Sequence, residues 1–259
     1  MTNPSTTPLT YNGYVTQVAT MAVVNTTTTN GVVVGVDASF NSIIPQMLNY
    51  AELRIQRDMD LLQSQVENST YALTANSNKL AIDVDDFVTL QTFQVTAGGV
   101  STPLLPSTKE FLQNVYGSVA GATVPMYFAP YGGDLATFGS TTQTFIVGPW
   151  PDQNYPVVLT GTVRMQTLYA KATTALAATG VTFISTYLPD LLIMASMIYL
   201  SAFQRNFGRQ ADDPAMAQSY ENQYQLLLKG ATMEEYRKKF EADGWTSEST
   251  PVAATPTRG

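Results

Sequence analysis

The stretch TYLPDLLIMASMIYLSAFQ, Thr186 to Gln204, decides how the remaining chain is understood. Between Thr186 and Phe203 its one charged residue is Asp190. On a helix, Leu191, Ile193, Met194, Met197, Ile198, Tyr199, Leu200 and Phe203 point in every direction, so no face is left for water. A bilayer, a core, or another subunit would satisfy such a segment. A bilayer span needs about 20 apolar residues. This run is shorter, carries Asp190 near its start and Ser196 and Ser201 inside, and meets Arg205 at its end. A membrane anchor is therefore not expected, and protein must cover the segment on every side.

Working outward toward the C-terminus, Asp213-Pro214 reads as an N-cap followed by proline at the first helical position. Ala217, Tyr220, Tyr224 and Leu227 then form an inward stripe, and Lys229 and Gly230 are expected to close that helix. Thr232 and Glu235 stand at capping-box spacing, so a separate small basic helix, MEEYRKKF, is expected next. The tail EADGWTSESTPVAATPTRG has the composition of a disordered segment.

On the N-terminal side, residues 1–10 are rich in Thr, Ser and Pro and read as a mobile arm. A short helix from Asn12, with Val15, Val18 and Met21 on one face, stops near Asn25, and NTTTTNG is expected to be a loop. The next helix is more strongly marked. In FNSIIPQMLNYAELRIQRDMDLL, Asn41 or Ser42 is the expected cap and Pro45 falls in the first turn. Ile44, Leu48, Ala51, Ile55, Met59 and Leu62 make one stripe, while Glu52, Arg54, Arg57, Asp58 and Asp60 give the opposite side its charge.

From Gln63 the period changes to alternation, with Tyr71 and Leu73, Leu80 and Ile82, then Val88, Leu90, Phe93 and Val95 among polar residues. An antiparallel sheet is expected, interrupted by the short helix STKEFLQNVYG with Ser107 and Glu110 as its capping box. Further strands follow at VPMYFAP, TFIVGPW and YPVVLTGTVRMQTLY. The fold class is thus α+β, a helical bundle with an inserted antiparallel β-rich domain and a C-terminal extension. The boundaries are an arm and short helix over 1–36, the first long helix over 37–62, the β-rich insertion over 63–181, a helical hairpin over 182–230, and a C-terminal helix and tail over 231–259.

Composition narrows function. The chain has 259 residues, 44% hydrophobic, enough to build a core, yet 13% are charged, about half the usual share. Its polar surface is mainly Thr, Ser, Asn and Gln, which cost less to bury at a contact than ions do. A net charge of −7, with no basic residue before Arg54, argues against gripping phosphate backbones. Cys and His are both absent, which removes Ser-His-Asp and Cys-His nucleophile pairs and most zinc sites. No signal peptide is visible at the N-terminus.

Acidic pairs remain at Asp58 and Asp60, at Asp83, Asp85 and Asp86, and at Asp212 and Asp213. Strand turns and helix starts account for the latter two groups, and DVDD lacks the glycine and distal glutamate of an EF-hand loop. No catalytic, cofactor-binding or metal-ligating residue is assigned, and no cofactor is expected. A carboxylate-dependent hydrolase stays open as the enzymatic alternative.

The order of elements carries more than any motif. AELRIQRDMDLL (Ala51–Leu62), TFISTYLPDLL (Thr182–Leu192) and NFGRQADDPAMAQSYENQY (Asn206–Tyr224), set around a β-rich insertion, resemble the head-to-tail adaptor proteins of tailed, short-tailed bacteriophages. The resemblance covers residues 37–240.

That resemblance implies a virion structural protein of the neck, assembled in the host cytoplasm. It implies a twelvefold ring joining the portal protein to a tail nozzle or tail tube protein, with genomic DNA passing through without sequence-specific binding. It places Tyr236, Arg237, Lys238, Lys239, Phe240 and Trp245 at portal docking, and Arg54, Asp58, Met194, Met197 and Phe203 at subunit contacts. The Thr186–Gln204 helix would be covered by its own bundle on one side and a neighbouring subunit on another. Another tail or head-closure protein is the structural alternative.

Overall fold

The computed structural model describes residues 8–29, 32–35, 37–83, 87–132, 142–172, 179–206 and 214–243. It has the α+β composition expected, in two compact units: residues 63–165 form one, and the segments before and after form the other.

The helical unit begins with α1 (Tyr11–Met21), capped by the Thr10 hydroxyl, which accepts the Gly13 N–H at 3.2 Å. The threonine run is not a loop: β1 (Thr26–Thr29) pairs antiparallel with β2 (Val32–Gly35). Four β-branched residues facing three valines favour extended backbone, a preference the polar character of NTTTT had concealed. Next comes α2 (Ala38–Asp58), which starts earlier than expected because Asp37, not Asn41 or Ser42, is the cap. The Asp37 carboxylate accepts Ser39 N–H at 2.8 Å and Phe40 N–H at 3.4 Å. Ile44, Leu48, Ala51, Ile55 and Met59 are buried as the stripe requires, but Leu62 lies past the helix end and is 41% exposed.

The sheet unit follows. Its strands are β3 (Gln65–Asn68), β4 (Ala72–Leu73), β5 (Lys79–Asp83), β6 (Thr89–Ala97), β7 (Val100–Pro103), β8 (Leu105–Pro106), β9 (Tyr127–Gly132), β10 (Thr142–Gly148) and β11 (Tyr155–Thr162). One sheet runs β3-β11-β6-β7 with β4 also on β11; the other runs β5-β10-β9-β8. The chain crosses between sheets at Leu104, and the β8–β9 pair is parallel, an exception to the antiparallel expectation. Phe93, Val95, Val157, Leu159, Tyr155 and Val147 lie in the shared core. The short helix α3 (Lys109–Val115) is capped by Thr108, not Ser107.

The chain returns to the helical unit with α4 (Leu168–Lys171), α5 (Phe183–Tyr187), α6 (Pro189–Asn206) and α7 (Pro214–Asp243). Thr182 and Ser185 make a reciprocal capping box at the start of α5, and Pro189 opens α6 where a missing N–H does no harm. The expected break at Lys229 and Gly230 does not occur; α7 runs through as one helix of 30 residues. A single helix glycine costs about 1 kcal/mol against alanine, too little to end a helix held by packing on both sides. The proposed capping residues Thr232 and Glu235 therefore sit mid-helix.

Most of α6 is covered within the chain. Its contacts are with α1, α2, α5 and α7 of the same chain. Leu191, Leu192, Ile193, Ala195, Met197 and Leu200 are all at most 5% exposed with no second copy present. Periodicity shows how many sides of a helix need cover, not which molecule supplies it. Met194, Ile198 and Tyr199 alone among the large apolar residues from Leu191 to Leu200 remain half-buried.

Candidate functional site

The helical unit carries a polar latch between α2 and α7. The Arg54 guanidinium grips the Glu221 carboxylate with two bonds, 2.9 and 2.6 Å, and its Nε lies 3.5 Å from Asp58. The guanidinium carbon stands 4.3 Å from the Tyr224 ring centroid, and the Tyr224 hydroxyl donates to Asp58 at 2.7 Å. A forked, planar cation suits this arrangement because it can hold one carboxylate bidentately while stacking on an aromatic face. The pair shows in the titration: hydrogen bonding to Arg54 holds Glu221 below its usual range, while burial and the Asp58 bond push the Tyr224 phenol up.

One turn beyond the end of α2 the contact continues. Glu235, 6% exposed, accepts the Leu62 N–H at 3.1 Å and Lys238 Nζ at 2.7 Å, and Lys239 pairs with Asp60. Burial acts to lower Lys238, and the bonds to Glu235 and Glu234 override it, leaving the ammonium raised. These side chains frame a cleft of about 410 Å³ lined by Asp58, Met59, Asp60, Thr232, Glu235, Tyr236 and Lys239.

A second buried carboxylate ties α2 to α4. Glu52 is 1% exposed, and its two oxygens accept the Leu168 N–H at 3.1 and 3.0 Å. Burial raises its pKa from 4.5 to about 8, against the opposing pull of the Leu168 and Thr182 bonds. The sequence had placed Glu52 on the solvated side of α2; its partner, a helix-start N–H 116 positions away, left no local signal.

The residues anticipated at contacts are distributed unevenly. Arg54 and Asp58 have partners within the chain, though Arg54 is half-buried and Asp58 exposed, and Met197 is enclosed by the chain. Met194 is half-buried. The Phe203 and Phe240 side chains and Trp245 lie outside the described residues. Of the rest, Tyr236 is 65% exposed, Arg237 is exposed, and Lys238 and Lys239 are intermediate.

Sequence reasoning missed the outward side of α7. Tyr224, Ala231 and Glu235 are buried on one face. At 100° per residue, Leu226 and Met233 then fall on the opposite face one heptad apart, and they are 69% and 56% exposed. The inward stripe, continued past Gly230, would have found them.

Among the described residues, no group of three or more His, Cys, Asp or Glu could hold a metal ion, and no helix is long and apolar enough to cross a membrane. Asp83 lies at the end of β5; Asp85, Asp86, Asp212 and Asp213 are outside the described residues. What the geometry offers is a braced helix pair with an apolar outer row.

A family model described as SU10 adaptor protein matches residues 10–252. The chain belongs to that family. No curated protein matches it. The SU10 adaptor family is one of phage adaptor proteins, so this chain is a virion structural component that acts by contacting other phage structural proteins.

Proposed function

We propose that this SU10 adaptor forms a ring, twelvefold as in the head-to-tail adaptors it resembles, between the portal vertex and the tail of a short-tailed phage. The observation that carries this reading is the family match extending across both compact units. The outer row of α7 supports it: Leu226 and Met233 put two large side chains in water on a helix whose other face is already packed. Neighbouring subunits meet there, and the half-open part of α6 around Met194 and Tyr199 belongs to the same class of contact. In a closed ring each copy uses two different patches, so such contacts terminate instead of growing into a filament.

The C-terminal end of α7 and the segment beyond it, from Tyr236 through Trp245, dock on the portal, with the sheet unit toward the tail protein. The net charge of −7 suits a passage for DNA, because carboxylates and neutral polar groups in the lumen repel phosphate and let the genome slide.

Size-exclusion chromatography with light scattering, run with and without portal protein, tests the reading. A ring, alone or on the portal, is the expected species. A chain that stays monomeric and elutes separately from portal at any ratio contradicts it. A neck image in which basic side chains line the narrowest part of the channel would contradict the sliding role.

A further inference from the structure

Each of the two compact units exposes a strand edge that, among the described residues, no other strand pairs. In the sheet unit, β7 pairs with Gln94–Ala97 of β6, while β11 runs along the other side from Thr89 to Val95. Thr89 to Thr92 consequently have, among the described residues, no strand on the β7 side. A groove of about 410 Å³ opens at this fork, walled by Leu90, Phe93, Pro103, Leu104, Phe128 and Pro130 among others, and no charged side chain among the described residues lines it.

Natural sheets blunt exposed edges with Lys, Pro or an inward charge. The far wall does so: Pro130 has no N–H to offer from β9. The β6 wall, Thr89-Leu90-Gln91-Thr92, has none of these residues. A register shift inserts Gln91 where Leu90 faces Gly161 and Thr92 faces Thr160. Such a bulge sharpens the local twist, which suits the edge to a short added strand. Gly161 permits the close approach, since a Cβ there would lie 2.2 Å from the Thr89 carbonyl oxygen.

In the helical unit, β1 pairs among the described residues with β2 alone, β2 lies against α1, and all four threonines of β1 are exposed. A two-stranded hairpin is marginal by itself and gains from a third strand. Each unit thus offers a short, uncharged edge that is open among the described residues.

We propose that β1 of one copy adds as a strand to the open β6 edge of another, seating its threonines over the uncharged groove. Main-chain hydrogen bonds supply the attraction, as in other strand additions, and lengths of four residues match. The contact joins different patches on the two copies, so repetition runs head to tail. It rests on the ring reading for closure but not for the pairing itself.

The absence of cysteine makes a direct test possible. Thr28→Cys and Gln91→Cys are placed in separately tagged full-length copies, matched to wild type by circular dichroism, mixed at high concentration and treated with a short bis-maleimide that tolerates a register slip. The expected result is a linked heterodimer about tenfold more abundant than that from Thr28→Cys with Thr160→Cys on β11, which has a strand on each side, because docking raises the local thiol concentration. Adding Thr27→Pro to the Thr28→Cys copy removes the excess. Equal yields in the two mixtures, or an excess that survives the proline, overturn the proposal. Rings seen by electron microscopy without the link would sink the strand addition and leave the ring reading standing. Linked open chains without rings would do the reverse.

Discussion

The helical and sheet units stay folded by different means. In the helical unit, charged groups join elements far apart in sequence: Arg54 to Glu221, Lys239 to Asp60, Glu52 to the start of α4. In the sheet unit, the pairing is main chain to main chain around an apolar core, and the threonines, glutamines and asparagines outside it carry little charge. Helices satisfy their own backbones and need side chains to choose partners and register. Strands choose partners through the backbone itself, and the side chains can remain neutral. A protein with few charges has spent several of them on the helical seam.

The comparison can be broken at five points. The largest effect is expected from Phe93→Ala in the sheet core, a loss of about 3–5 kcal/mol that urea titration should show to be indifferent to salt. Marked salt dependence would mean the sheet unit also relies on charge.

Next is the pH response of Glu52. Its folded pKa, about 8, lies above the ordinary 4.5, so between those values the folded chain keeps a proton that the unfolded chain has released. Stability is therefore fully present below about pH 4.5 and falls as pH rises toward 8, by an amount on the order of a few kcal/mol. Glu52→Gln should flatten the urea midpoint between pH 5 and 8. An unchanged slope in the variant would place the titration elsewhere.

Arg54→Ala should cost about 1–2 kcal/mol, a modest figure because the partners are partly exposed, and the cost should shrink in 1 M salt. Smallest in stability, within about 0.5 kcal/mol, are Leu226→Ser and Met233→Ser, since neither side chain is packed within the chain. Their effect should appear in association instead, as a lower assembled fraction by light scattering. Removal of residues 244–259 should likewise leave the melting transition in place while weakening co-sedimentation with portal.

The sequence made the α+β class and the stripe on α2 legible because both rest on local period. It also showed that Leu191 to Phe203 needed cover all round. It did not show that α1, α2, α5 and α7 cover most of Leu191 to Leu200, since the identity of a covering surface is a tertiary fact. Glu52 was misjudged for the same reason: its helical position looks solvated, and the N–H that binds it comes from Leu168. The Thr26–Thr29 strand was missed because polarity was weighed above β-branching, and the continuity of α7 because one glycine was given the force of a stop.

Imaging the particle neck at side-chain resolution tests the central claim most directly. The account predicts a closed ring of this chain against the portal, with Leu226 and Met233 of every copy covered by a neighbour. A neck in which α7 turns that row to solvent, or in which the chain is present as isolated single copies, would contradict it.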